Sequence, residues 1–250
     1  MESETNPTTK SKIKPEHKPP NKSGNKPENK LENFKEKLSS KIYQLLVDQG
    51  IEELRPSQAK SINAGVLNGE NVLVCTPTAS GKTLVAEIAS LNVVFEKKEK
   101  AIYIVPLKAL ASEKHKEFKK KYGEQMTVAL SIGDLDASDK YLARYDMIIC
   151  TAEKLDSLIR HHTPWIRDVG IVVIDEIHML NDPRRGPTLE ILITMLKQLI
   201  KDVQIIGLSA TIGNEKELAE WLNAKLIHDT WRPVQLRKGT YYDGEIEFDK

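Results

Sequence analysis

The amino-acid sequence predicts an α/β fold built on a mostly parallel sheet with helices on both faces. Short apolar runs at 71–75, 101–105, 127–131, 146–150, 170–174 and 203–208 read as buried strands. Most of the segments between them have helical periodicity; Leu84, Ile88, Leu91 and Phe95 form one such stripe. The chain has 250 residues, 40% of them hydrophobic and 29% charged, which suits one substantial soluble domain or two small ones. In parallel sheets ligands bind at the carboxyl ends of the strands, so the chemistry is expected there.

Taken in order, residues 1–35 are Lys, Pro, Asn and Glu with almost nothing apolar. Such a segment cannot bury enough surface to offset chain entropy, and it reads as a disordered tail, either solvated or lending a slight positive excess to nucleic acid. Order is expected to begin near Phe34. Phe34, Leu38, Ile42, Leu45 and Leu46 fall at helical spacing and Gly50 stops the run. A second helix starts at Pro56, with Ala59, Ile62 and Val66 on one face. The strand and helix alternation follows.

Lys and Arg total 37 against 36 Asp and Glu, so a polyanion would meet a local patch and not a generally basic molecule. No apolar run approaches the roughly 20 residues of a membrane span, and the N-terminus has no hydrophobic signal core. Cys75 and Cys150 each end an apolar run and read as small buried residues in a reducing compartment, the cytoplasm. No Cys or His set has metal-ligand spacing.

Three strand ends carry the chemistry. Thr76-Pro77-Thr78-Ala79-Ser80-Gly81-Lys82-Thr83 fits the phosphate-loop pattern G-x-x-x-x-G-K-[ST] except at its first position, where Thr76 replaces Gly. It stands between a strand and an amphipathic helix. Gly81 lets the backbone approach a phosphate, helix amides point at the anion, Lys82 reaches the β- and γ-phosphates, and the Thr83 hydroxyl ligates Mg²⁺. A cation in a helix's first turn opposes the dipole, so a mere strand-to-helix turn does not explain Lys82. In "IVVIDEIHML", Asp175 and Glu176 end an apolar strand, with His178 two residues on. Adjacent carboxylates at a buried strand end are costly without a cation. Asp175 would hold the Mg²⁺ of the nucleotide and Glu176 would orient the attacking water. In "IIGLSATIG", Ser209 and Thr211 could relay hydrogen bonds from His178, and Asn214 with Glu217 would cap the next helix.

This ordered set resembles the first RecA-like lobe of superfamily 2 helicases. The strings "TPTASGKTLVAEIA", "VPLKALASEK", "SIGDLD", "TAEKLDSLIRH", "DEIHMLNDPRRGPTLE" and "WRPVQLRKG" are similar to the Ski-like branch, and within it to the Hjm/HelQ type of DNA helicase, over roughly residues 40–240. The resemblance implies a DEAD/DEAH-type ATP-dependent helicase with ATP and Mg²⁺ bound through Thr78, Ala79, Ser80, Gly81, Lys82, Thr83 and Asp175, and with Lys82, Asp175, Glu176 and His178 in catalysis. It places Gln58 where adenine is read, through an amide that donates and accepts at once; an exposed helical Gln is the plainer reading. It places Pro106, Lys108, Thr151, Lys154 and Arg185 toward the strand backbone. A solvated Lys108, an ordinary Thr151 helix cap and a surface Arg185 remain alternatives. Arg160, His161 and His162 could line the same path, while Trp165 and Trp231 read as packing residues before stacking ones.

The implied partners are single-stranded or forked DNA, with RNA possible, translocation running 3′ to 5′, and the nucleoid or, in a eukaryote, the nucleus as the site of action. Residues 36–232 are expected to form the first lobe and 233–250 a link toward a second lobe that nothing after Thr211 resembles. A lone lobe of this kind is expected to be a monomer, to bind Mg-ATP modestly and to hydrolyse it poorly. A non-catalytic, nucleotide-dependent binding module and an RNA helicase of the same branch are the alternatives.

Overall fold

A computed structural model describes residues 27–133, 139–234, 239–242 and 245–248. Its core is a seven-stranded, all-parallel sheet in the order β3-β4-β2-β5-β6-β1-β7. The strands are β1 (Val72–Cys75), β2 (Lys100–Val105), β3 (Val128–Ser131), β4 (Met147–Thr151), β5 (Val169–Ile174), β6 (Gln204–Ser209) and β7 (Lys225–His228). Six are the apolar runs expected from the sequence, and β7 is an addition. The antiparallel pair β8 (Gly239–Tyr242) and β9 (Glu245–Phe248) forms a separate ribbon in the segment expected to be a link.

The strands read as continuous apolar runs because both faces are covered, and side chains alternate between the faces. On one face Val72, Val74, Tyr103, Val105, Ile171, Val173, Ile206 and Leu208 pack under α1 (Ser40–Asp48), α2 (Pro56–Asn63), α3 (Lys82–Asn92) and α4 (Lys108–Tyr122), through Ile42, Ile62, Ile88 and Phe118. On the other face Leu73, Ile102, Ile104, Ile148, Val172 and Ile174 meet Leu155, Leu192 and Leu222 from α5 (Ala152–Arg160), α6 (Gly186–Leu199) and α7 (Glu215–Leu222). Each such aliphatic side chain contributes about 1.5–3 kcal/mol on burial.

Two sequence expectations are corrected near the N-terminus. Packing begins before Phe34: Leu31 is 2% exposed, its N–H donates to Glu52 O at 2.9 Å, and Lys30 bridges Glu53. Two apolar anchors, Leu31 and Phe34, suffice to dock this end, so the tail boundary at 35 lies too far along; residues 1–26 fall outside the described residues. The expected helix from Phe34 is also two pieces, a 3-10 turn (Leu31–Phe34) and α1. Ser39 separates them, its Oγ accepting from Ile42 N at 3.4 Å and restarting the helix as an N-cap. Likewise α2 ends at Asn63, and Val66 sits in a 3-10 turn between two left-handed glycines.

Candidate functional site

The sheet order sorts the motifs along one edge. In register, Cys75 of β1 stands beside Ser209 of β6, and Ile174 of β5 stands beside Gly207. The phosphate loop, the Asp175 segment and the Ser209 segment therefore leave three adjacent strands, β1, β6 and β5. The segments at 106–108 and 151–154, expected to meet a nucleic-acid strand, leave the next two, since Val105 of β2 pairs with Thr151 of β4. The two groups meet where β2 lies beside β5, with Ile104 opposite Ile174.

The phosphate loop is held at both ends and from above. Thr76 and Ser80 join their hydroxyls at 2.7 Å, and Thr76 N–H donates to Ser209 O at 3.3 Å. Thr76, the departure from the loop pattern, thus closes the loop that it opens. Ala79 and Gly81 take positive φ, 64° and 87°. Gly81 is required there twice over: a Cβ would lie 2.6 Å from Gln58 Nε2 and 2.8 Å from Arg55 Cδ. Above the loop, Arg55 Nη1 donates to Ala79 O at 2.7 Å and Gln58 Nε2 donates to Gly81 O at 2.8 Å. Gln58 Oε1 in turn accepts from Arg55 N at 2.8 Å. Gln58 is buried, not an exposed helical Gln, and each end of its amide keeps one further hydrogen-bonding site.

Arg55 is a loop contact that the sequence reading missed, although it stands in the same "LRPSQ" string. Its guanidinium also lies 5.6 Å from the Trp231 ring centroid, tying residue 231 to the loop. Lys82, at the first position of α3, is 8% exposed, a cation in the first turn of a helix that has no side-chain cap. Thr83 is half-buried beside it.

The acidic segment is equally shaped. Asp175 N–H extends the β2–β5 ladder by donating to Ile104 O at 2.8 Å. Its carboxylate is fixed on both oxygens: Tyr103 O–H donates to Oδ2 at 2.9 Å and Glu176 N–H donates to Oδ1 at 3.0 Å. Burial and the Asp175 charge push the Tyr103 hydroxyl well above its ordinary range, so it keeps the proton that it donates to Asp175. Glu176 turns the chain at φ 52°, which brings its Oε2 to 3.4 Å from His178 Nδ1. That nitrogen makes no hydrogen bond at this separation, and Ser209 Oγ is likewise buried without a partner. The expected relay from His178 to Ser209 and Thr211 is therefore not formed in this conformation. Ser209 is sealed in the sheet end, while Thr211 is exposed. The Asn214 cap is also not made; Glu215 pairs instead with His228 Nδ1 at 2.8 Å.

Thr83 and Asp175 offer hydroxyl and carboxylate oxygens, the hard donors that suit Mg²⁺. Cys75 at the end of β1 does not compete, since burial pushes its thiol up to about 11.

The expected nucleic-acid residues divide. Lys108 is exposed at the first turn of α4, a helix whose N-terminus has no side-chain cap, and Pro106 is partly exposed just before it. Thr151 is the N-cap of α5, its Oγ1 accepting from Lys154 N at 3.4 Å, so the cap reading holds for its side chain. Lys154 is corrected. It is 1% exposed and its ammonium pairs with Asp139 at 2.9 Å, because a cation inside the sheet end requires a buried counter-charge. Arg185 is corrected in direction: Nη1 donates to Pro106 O at 2.9 Å, so it braces the Pro106 segment from within. Asp182 shapes that brace by accepting from the N–H of Arg184 and of Arg185, both at 2.9 Å. Trp165 is buried, as a packing residue would be.

A parallel sheet whose consecutive carboxyl ends carry a phosphate loop, an Asp-Glu-x-His segment and a Ser-Ala-Thr segment defines the class: a RecA-like helicase lobe. The family model of the DEAD/DEAH box helicases matches residues 55–219, and the chain belongs to that family. It is 58% identical over 209 residues to the ATP-dependent DNA helicase Hel308 of Pyrococcus abyssi, covering 84% of this chain and 29% of that protein. To the Hel308 of Methanocaldococcus jannaschii it is 57% identical over 215 residues, 83% of this chain and 18% of that protein. The chain thus spans less than a third of the curated relatives that it matches. Among solved structures it is similar to the DUF1998 helicase MrfA bound to DNA and AMPPNP, with a TM-score of 0.66, 28% identity, and coverage of 78% of this chain and 30% of that one.

Proposed function

We propose that this chain is the ATP-binding lobe of a DNA helicase that uses ATP to move 3′ to 5′ along a single strand and so separates duplexes. The observation that carries the reading is the division of one sheet edge. Nucleotide elements end β1, β6 and β5, gripping elements end β2 and β4, and the two sets touch at the β2–β5 pair. The relatives named as DNA helicases favour DNA over RNA.

Bound with ATP, Mg²⁺ would neutralise charge on the phosphate oxygens. Thr83 and Asp175 are the residues that would hold it. The chain's own contribution is positional. Lys82 meets the terminal phosphates, Gly81 and the first amides of α3 cradle them, and Gln58 reads the base with its free amide sites. Glu176 holds and polarises the attacking water. Lys108 and the amides opening α4 and α5 bind backbone phosphates without reading sequence. A second RecA-like lobe closes over this site and supplies an arginine worth about 10³–10⁵ in rate.

The test is ATP hydrolysis by the chain with and without single-stranded DNA, beside competition between DNA and RNA strands of one sequence. Slow turnover with Mg-nucleotide binding, and DNA outcompeting RNA, is the expected result. Equal competition would move the substrate to RNA or to either strand. Failure to bind any nucleotide would remove the ATPase reading altogether.

A further inference from the structure

Tyr103 stands in the middle of β2, opposite Val173 of β5 and Ile149 of β4. Its side chain is fully buried, with its ring 5.3 Å from that of Phe118 in an edge contact. Phenylalanine would fill this place equally well. The hydroxyl is the extra feature, and an unpaired one would cost about 1–3 kcal/mol. Its partner is Asp175 Oδ2 at 2.9 Å, while Glu176 N–H takes the other oxygen. A free aspartate rotates about two torsions; this one is tied on both oxygens and retains lone pairs on each.

We propose that Tyr103 is a positioning residue for Asp175, fixing the carboxylate in the orientation in which it receives the Mg²⁺ of the bound nucleotide. The proposal rests on the reading of Asp175 as the metal holder given above. The hydroxyl acts as the outer partner of a metal-ligating carboxylate, the kind of contact whose removal typically weakens metal binding by about 10–100-fold. It also comes from the strand that, three residues on, delivers Pro106 and then Lys108 to the nucleic-acid side of the edge. A displacement of β2 would therefore be felt at the metal.

The test is a fluorescent ATP analogue titrated onto the chain at stepped MgCl₂ concentrations, with an EDTA reference, for the unaltered protein, Tyr103→Phe, Tyr122→Phe and Asp175→Asn. Tyr122 is the control, since it shares the aromatic cluster through Phe118 but donates to Glu87 at 2.5 Å. Tyr103→Phe is expected to keep the Mg²⁺-free affinity within twofold. The Mg²⁺ concentration for half-maximal gain should rise by about 10–100-fold. Tyr122→Phe should leave that concentration unchanged, and Asp175→Asn should abolish the gain. A Tyr103→Phe curve within twofold of the unaltered protein overturns the proposal while leaving Asp175 as metal holder. If Asp175→Asn keeps the gain, or the unaltered protein shows none, both fall together. The unaltered protein offers a second readout that survives a variant failing to fold. In ¹³Cζ-tyrosine-labelled chain the Tyr103 resonance shifts on addition of Mg²⁺-nucleotide if its hydroxyl senses the metal, and a stationary resonance contradicts the proposal.

Discussion

Ala79 occupies the left-handed region at φ 64°, where a Cβ costs about 1–2 kcal/mol. It sits there because Arg55 and the turn into Gly81 hold the loop from above. Replacing it with glycine removes the strain and gives back about 0.5–1 kcal/mol in unfolded-state entropy. Ala79→Gly is thus expected to raise the melting temperature of the nucleotide-free chain by about 1–4 °C. An unchanged or lower melting temperature would mean that the loop relaxes the strain elsewhere. At this scale the candidate site residues stand out in the sequence because spacing alone, G-K-T after a strand and D-E-x-H after another, marks them. Their supports do not. Tyr103 looks like any apolar strand residue and Thr76 like a defect, since each finds its partner only once distant segments meet. Lys154 misled for the same reason, its counter-charge Asp139 lying on another segment.

Among the elements, the segment between β5 and α6 is fixed by backbone contacts. Gly186 opens α6 with its N–H on Asp182 O at 2.8 Å, and a Cβ there would stand 2.1 Å from Leu180 O, a backbone atom that cannot swing aside. Gly186→Ala is therefore expected to destabilise the chain by about 1–3 kcal/mol and to loosen the Arg185 brace on Pro106. Urea unfolding measures the first, and weakened single-strand binding with nucleotide affinity retained measures the second. Loss of neither would show that α6 starts elsewhere. Six strands were legible because burial on both faces writes them as unbroken apolar runs. The seventh, β7, was not: at the sheet edge only Ile227 is buried while Lys225 and His228 are exposed, leaving no run to see. The first helix was misjudged because the apolar spacing runs through Ser39, and the capping serine was the only sign of the break.

For the whole molecule, burial sets an alkaline limit. Cys75 and Cys150 lie on the same face of the sheet near the carboxyl ends of β1 and β4, and burial raises their thiols to about 11 and about 12. In the unfolded chain they ionise near 8.5. Between that value and pH 11 the unfolded state binds fewer protons than the native one, so stability falls as pH rises, by up to about 1.4 kcal/mol per pH unit for each thiol. Tyr103 and Tyr122, whose hydroxyls burial also raises, act in the same direction at higher pH. Urea unfolding at pH 8 and pH 10.5 should show this loss, and equal stability at both would show that the thiols are solvated. The proposed division of the sheet edge into a nucleotide half and a gripping half follows in outline from the motif order, but the adjacency of β2 and β5 that joins the halves comes only from the strand order.

The central claim is that the loop at residues 76–83 grips the phosphates of ATP through Lys82. Equilibrium binding of a fluorescent ATP analogue with Mg²⁺ to the unaltered chain and to Lys82→Ala tests it directly. A charge-assisted contact of about 1.5–3 kcal/mol predicts a loss of roughly 10–100-fold with the circular dichroism unchanged. Equal affinity of the two proteins would contradict the account, and the nucleotide would have to be sought elsewhere or not at all.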